Sequence, residues 1–223
     1  TYLYRYLKKN KIILSKKNNC TPNIIYVSAK NKNKKRNINI SKKIWLKNYL
    51  DATKLKDVDI IIELIGGAEG PAKKLVFSAL KNKKHVVTAN KALIAKYGDQ
   101  LSKIAEDNNV NLEFEAAVCG GVPIIRSLKE SLIANKISKV YGIFNGTSNY
   151  ILSTMDKENR NFKDVLINAQ KLGYAESNPI SDLNGDDVGA KLKILSSLCF
   201  NSFISNKIHI EGIKSIDKVD IEN

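Results

Sequence analysis

The stretch DIIIELIGG at residues 59–67 decides the fold class. A short, unbroken apolar run closed by two glycines predicts a buried strand, and its flanks repeat the pattern. A helical segment at about 70–82 follows, then HVVTA at 85–89 as a second strand, a helix at about 91–108, and NLEFEAAV at 111–118 as a third strand. Upstream, Leu3, Tyr6, Leu7 and Ile13 form an apolar stripe on a helix predicted over 2–17, and NIIYVSA at 23–29 predicts another buried strand. Apolar strands separated by helices of this length imply α/β architecture: a doubly wound, Rossmann-like parallel sheet covered on both faces.

Ligands bind such sheets beyond the carboxyl ends of the strands. Three strand ends therefore matter: Gly66-Gly67, Thr88-Ala89-Asn90-Lys91 and Cys119-Gly120-Gly121. A dinucleotide-binding unit opens with a strand and a G-x-G-x-x-G turn before its first helix. This sequence starts at that helix without a methionine, so the sheet is expected to be incomplete and the chain an excised fragment. After Gly121 the texture changes. Helices are predicted at 122–132, 148–155, 162–172 and 186–198, with a strand at 137–144, which reads as a second, α+β domain. The boundary is set between residues 119 and 120, giving a nucleotide-binding domain over 1–119 and a second domain over 120–223.

The chain has 223 residues, 43% of them hydrophobic, enough to bury a substantial core, which excludes wholesale disorder and a disulfide-stapled miniprotein. Its net charge of +15 is an N-terminal property: residues 1–50 hold 14 Lys+Arg and no acid. Such a segment could neutralise nucleic-acid phosphates. Asn and Lys crowd together throughout, however, and no aromatic RNA-binding motif or zinc-finger spacing accompanies them, so solvated surface is the preferred reading. Cys20, Cys119 and Cys199 are odd in number and widely spaced, which fits a reducing compartment. No run approaches a membrane span, and a soluble, cytoplasmic protein is expected.

Chemistry concentrates in GYAESNPISDLNGDDVGAKLKIL at 173–195. Asp187 and Lys191 stand at i,i+4 on a predicted helix with the acid on the favoured N-terminal side. The run DLNGDD puts glycine fourth rather than sixth, so it fails the calcium-loop pattern.

These segments carry a resemblance. YGIFNGTSNYILSTM (141–155), AQKLGYAESNPISDLNGDDVGAKLKIL (169–195) and HIEGI (209–213) resemble the catalytic domain of the homoserine dehydrogenase family. ELIGG, VVTANKAL and FEAAVCGGVPII resemble its cofactor side in the same order. The likeness spans roughly 58–213. It implies interconversion of L-aspartate 4-semialdehyde and L-homoserine with NADH or NADPH, in a homodimer acting on a small molecule, with neither nucleic acid nor membrane as partner. By resemblance Lys191 is the acid/base lysine, Asp187 its orienting partner and Lys91 a second active-site lysine near cofactor and substrate. Two converging ammonium groups would each disfavour the other's charge. Glu176 matches a substrate-binding glutamate, and Asp182 is a second candidate. Thr88, Gly66 and Gly173 match cofactor-side positions, Gly173 because an absent side chain permits close approach. Glu115, Val118, Gly120 and Val122 match a loop whose carbonyls hold a monovalent cation, usually sodium. At the cofactor end VSAKNKNKKR has several cations and no acid, which favours NADP over NAD. Two alternatives compete: a semialdehyde dehydrogenase using Cys119 as nucleophile, and a basic nucleic-acid-binding protein using residues 1–50.

Overall fold

In the computed structural model, residues 1–200 and 208–222 are described. β1 (Ile60–Glu63), β2 (His85–Thr88) and β3 (Leu112–Glu113) form a parallel sheet in that order, with Ile61 opposite Val86 and Val86 opposite Leu112. Each strand returns through a helix, α3 (Pro71–Lys81) and then α4 (Lys91–Asp107). Pro71 opens α3 at a position whose N–H no helix bond needs. Its apolar residues at 72, 75, 76, 79 and 80 recur with helical period and are all buried. Leu75, Val76, Ala79 and Leu80 meet Ile61 and Val86 from the sheet and Leu93, Ile94 and Leu101 from α4 in one core. Leu80 is fully buried at its centre, so Leu80→Ala costs about 2–5 kcal/mol.

The Rossmann-like parallel α/β sheet is therefore observed, but with one face covered rather than two. Ile60 and Ile62 alternate with the buried residues of β1 and stand 55% and 42% exposed. The expected single helix over 2–17 forms as α1 (Tyr2–Lys9) and α2 (Lys11–Asn18), broken at Asn10 and burying none of their residues. They leave that face open.

Two predicted strands do not form. Residues 23–29 contribute one isolated bridge, Val27 to Trp45, and 137–144 run without regular pairing. Apolar alternation qualifies a segment for a sheet, but a strand also needs a neighbour to take its N–H and C=O groups. β3 is shorter than predicted because the chain turns at Phe114 into a 3-10 turn, Glu115–Ala117. There the Glu115 carboxylate accepts the N–H groups of Ile125 (3.0 Å) and Arg126 (2.8 Å), satisfying the start of α5 (Ile124–Arg126). A wider turn, Ser127–Ser131, continues α5.

In the second half α6 (Gly146–Glu158) and α7 (Phe162–Leu172) pack through Ile151, Met155, Val165 and Ala169 into a separate core. α8 (Ile180–Leu183) adds Leu183, and α10 (Lys218–Glu222) closes the described chain. α9 (Asp186–Phe200) behaves differently: Ile194 and Leu195 belong to the first core, against α4. Packing thus crosses the chain position where the texture of the sequence changes, and it brings Lys91 and Lys191 to one place.

Candidate active site

The site starts from a buried carboxylate at the end of β1. Glu63 is fully buried and accepts from the N–H groups of Ile65 (2.5 Å) and Gly66 (3.0 Å) and from the Thr88 hydroxyl (2.5 Å). Thr88 Oγ1 accepts in turn from the Asn90 N–H (3.0 Å). Asn90 Nδ2 donates to the Gly67 carbonyl (2.8 Å), and its Oδ1 caps α4 by accepting from the Leu93 N–H (3.1 Å). Gly66 and Gly67 both have φ in the left-handed region, at 84° and 80°, which glycine adopts without steric cost. This mesh ties the ends of β1 and β2 together and fixes the head of α4, whose first residue is Lys91.

Lys91 pairs with Oδ1 of Asp187, the second residue of α9. From the same helix Lys191 Nζ donates to Asp187 Oδ2 (2.7 Å) and to the Phe144 carbonyl (2.7 Å), realising the i,i+4 spacing of the sequence. Asp187 is 3% exposed. Burial pushes its carboxyl pKa up, but hydrogen bonds from Lys191, Lys91 and Asn145 outweigh that and hold it below its ordinary value. A carboxylate standing between two ammonium groups also offsets their repulsion.

A cavity of about 460 Å³ opens here, bounded by Gly66, Gly67, Lys91, Cys119, Gly120 and Lys191. Asp182 reaches the same cluster from α8, accepting from Asn145 Nδ2 (2.9 Å) and from the Thr147 hydroxyl (3.1 Å). That hydroxyl also lies 2.7 Å from the Tyr174 carbonyl, tethering the turn that carries Glu176 to the start of α6. Glu176 is exposed, and its carbonyl accepts from Gln170 Nε2 (3.2 Å). Gly173 terminates α7 with φ 81°. Thr88 is buried, with its hydroxyl committed to Glu63 and the Asn90 N–H. Of the residues matched to a cation loop, Gly120 borders the cavity, Val118 is buried, Val122 is exposed and the Glu115 side chain faces α5. No group of three or more His, Cys, Asp or Glu side chains suited to a metal occurs among the described residues.

Three contributors escape sequence reasoning as assigned residues. Asn145 is one: the run NGT at 145–147 reads in sequence as a strand end facing the site or as a tight turn, with no role for the amide itself, and the structure makes Asn145 the cap of α6 instead. Glu63 is another, visible only as an acid out of place in an isoleucine run. The third, Glu69, sits in the loop after Gly67 and accepts from Lys96 (2.7 Å), from the Tyr97 hydroxyl and from Lys73 (3.2 Å). Those bonds, Lys96 first, lower its pKa to about 2.

The alternatives find no support in this arrangement. His85 Nδ1 accepts from the Asn111 N–H (3.0 Å) and His209 pairs with Glu211 (3.0 Å), so neither ring serves Cys119 as a base. In the basic loop Arg36 donates to the carbonyls of Asn31 (2.6 Å), Lys32 (3.0 Å) and Lys34 (2.9 Å) and lies over the Trp45 ring. Its guanidinium organises the loop itself.

Comparison with known proteins agrees with the geometry. The family model for homoserine dehydrogenase matches residues 123–223, and that for the homoserine dehydrogenase NAD-binding domain matches 8–115. Homoserine dehydrogenase of Neisseria gonorrhoeae is 47% identical over 179 residues, covering 80% of this chain and 41% of that protein. The Bacillus subtilis enzyme is 42% identical over 203 residues, covering 91% and 47%. A Staphylococcus aureus homoserine dehydrogenase crystal structure superposes with a TM-score of 0.84 at 38% identity, over 98% of this chain and 52% of that one. A hyperthermophilic archaeal homoserine dehydrogenase in complex with NADPH superposes with a TM-score of 0.71 at 28% identity, over 78% and 53%. The chain thus spans about half the length of the relatives it matches. With two consecutive family models covering nearly all of it, and the two lysines meeting on one buried aspartate, this chain belongs to the homoserine dehydrogenase family.

Proposed function

We propose that the protein carrying this chain interconverts L-aspartate 4-semialdehyde and L-homoserine, with NADP preferred over NAD, in the branch leading to threonine, methionine and isoleucine. The observation that carries this reading is the convergence of Lys91 and Lys191 on Asp187 at the mouth of the glycine-bordered cavity. The chemistry that a nicotinamide cofactor would supply here, when bound, is hydride exchange with the aldehyde carbon. Lys191 Nζ holds the proton that balances the transfer, giving it to the nascent alkoxide in reduction and receiving it from the hydroxyl in oxidation. Such positioned acid/base catalysis contributes roughly 10²- to 10⁴-fold. Asp187 orients both ammonium groups, and Lys91 adds positive charge where the oxyanion develops. Glu176 has the charge to bind the amino group of homoserine, and Asp182 stands as a second carboxylate nearby. On the cofactor side Gly66 and Gly173 leave room for close approach, and Thr88 supports the turn from beneath. A similar role follows for the Cys119–Gly120 turn, where both residues are left-handed. The carbonyls of Glu115, Val118, Gly120 and Val122 would hold a sodium ion there; oxygen donors suit a hard cation, and no proton or hydride step runs through it.

NADP is preferred because Lys30, Lys32, Lys34, Lys35 and Arg36 follow the Val27 bridge with no acid among them. The reading includes division of the chain at residues 119 and 120, a cytoplasmic location in keeping with three free cysteines, and a homodimer. Tyr141 and Ile143, exposed on the unpaired segment, support contact with a second copy. The test is homoserine oxidation by the full-length protein, followed as NADPH absorbance. Lys191→Ala is expected to lose at least about 10²-fold in kcat while still binding NADP. A fully active alanine variant overturns the role of Lys191, and a wild-type protein inert towards homoserine overturns the reading.

A further inference from the structure

We propose that Asn145 is a positioning residue for the proton-transfer pair: its amide, locked by the helix it caps, holds the Asp182 and Asp187 carboxylates apart and presents Asp187 to Lys191. The proposal rests on the reading above, in which Lys191 moves the proton. Asn145 is buried at the head of α6 and makes three side-chain hydrogen bonds. Its Oδ1 accepts the Ser148 N–H at 2.8 Å. Its Nδ2 donates to Asp182 Oδ1 at 2.9 Å and to Asp187 Oδ2 at 2.9 Å. The orientation is forced from both sides: a backbone N–H only donates, so the atom facing Ser148 must be the oxygen, and ionised carboxylates only accept.

No other capping residue meets all three demands. Serine and threonine can cap a helix but offer a single hydroxyl hydrogen, and aspartate would cap while setting a third carboxylate against the first two. The consequence falls on Asp187. Lys191 and Asn145 share its Oδ2, whereas Lys91 takes Oδ1, so the amide fixes rotation of the carboxylate and assigns one oxygen to each lysine. The ionisable groups facing Asp187 are Lys191 from its own helix, Lys91 from α4 and, across the amide, Asp182 from α8. Losing the amide donor leaves the two lysines in place but frees the carboxylate to turn. It also removes one of the bonds that favour its charged form.

The experiment uses the full-length protein with Asn145→Ser, which keeps a capping acceptor, Asn145→Ala, which removes cap and bridge, and Asn145→Asp, which keeps the cap and adds a charge. Three quantities are read: kcat and KM for homoserine across pH, the thermal midpoint, and the Asp187 carboxyl titration by ¹³C NMR, assigned with Asp187→Asn. For Asn145→Ser the expectation is a kcat lowered about 10-fold with KM within about 3-fold. The acid limb of kcat and the Asp187 titration both move to higher pH, and further in Asn145→Asp. Asn145→Ala alone is expected to lower the midpoint clearly, through the lost cap. Wild-type kcat and an unmoved Asp187 titration in Asn145→Ser overturn the proposal. So does a loss of kcat that merely tracks the midpoint across the serine and alanine variants. The titration needs no turnover, so it decides the role of Asn145 even if the wild-type protein proves inert towards homoserine, which would sink the functional reading instead.

Discussion

Asp187 and Glu69 each face two lysine ammonium groups, but Asp187 is 3% exposed and the Glu69 side chain is 54% exposed. The partners are similar: Lys91 and Lys191 in one case, Lys73 and Lys96 with Tyr97 in the other. What differs is the medium. Water and salt screen the Glu69 cluster, so its geometry ties the loop after Gly67 to α4 and adds little else. Around Asp187 little water remains to compensate for a missing partner, so each charge depends on the others. The same side-chain chemistry is a surface clasp at one address and a candidate proton-handling centre at the other.

The largest effect that could break this contrast is loss of the buried member. Asp187→Ala leaves two ammonium groups facing one another and is expected to cost about 3 kcal/mol in urea unfolding; a loss no larger than that of Glu69→Ala would erase the distinction. The pH dependence sharpens it. The folded pKa of Asp187 lies below its ordinary value of 3.8, so its contribution is present above that value and is lost as pH falls through the folded pKa. Asp187→Asn should therefore flatten the acid side of the stability curve. Next in size comes Glu63, a buried carboxylate whose hydrogen bonds all come from neutral donors. Glu63→Ala takes the acceptor from the buried Thr88 hydroxyl and from the N–H groups of Ile65 and Gly66 and is expected to cost about 2–3 kcal/mol, with weakened binding of the proposed nicotinamide cofactor measured by titration calorimetry. The smallest effect belongs to Glu69→Gln, which should leave the unfolding midpoint unresolved from wild type at neutral pH. Because Glu69 is held at about 2 against an ordinary 4.5, its contribution is present above 4.5 and fades only between those values on acidification. A marked loss at pH 7 would place this surface cluster in the same class as Asp187.

How much of this is legible from residues alone follows from range. β1, β2, α3, α4, α7 and α9 lie within a few residues of their predicted positions, because apolar periodicity and the caps at Pro71 and Asn90 act locally. The segments at 23–29 and 137–144 are similarly rich in apolar residues but form no regular strand ladder, and pairing is not a local property. The open face of the sheet has the same origin: nothing in DIIIELI says which elements will cover it. At the candidate site the i,i+4 pair on α9 is readable from spacing. Its meeting with Lys91, a hundred positions away, comes only through family resemblance, since no periodicity links α4 to α9. Asn145 and Glu63 act by donating or accepting across elements: the NGT run marks the neighbourhood of the first without naming its partners, and the second shows only as a misplaced acid.

The packing of α9 against α4 has a mechanical corollary. Lys91 sits at the tip of one helix and Lys191 one turn into the other, so the two amines ride on the jaws of a caliper whose hinge is the apolar seam containing Ile94 and Ile194. An α-helix advances about 1.5 Å per residue, and a slip of one helix along the other by even that amount would carry one amine out of reach of the shared carboxylate. The span of the jaws is thus set by aliphatic methyl groups that never touch a reactant.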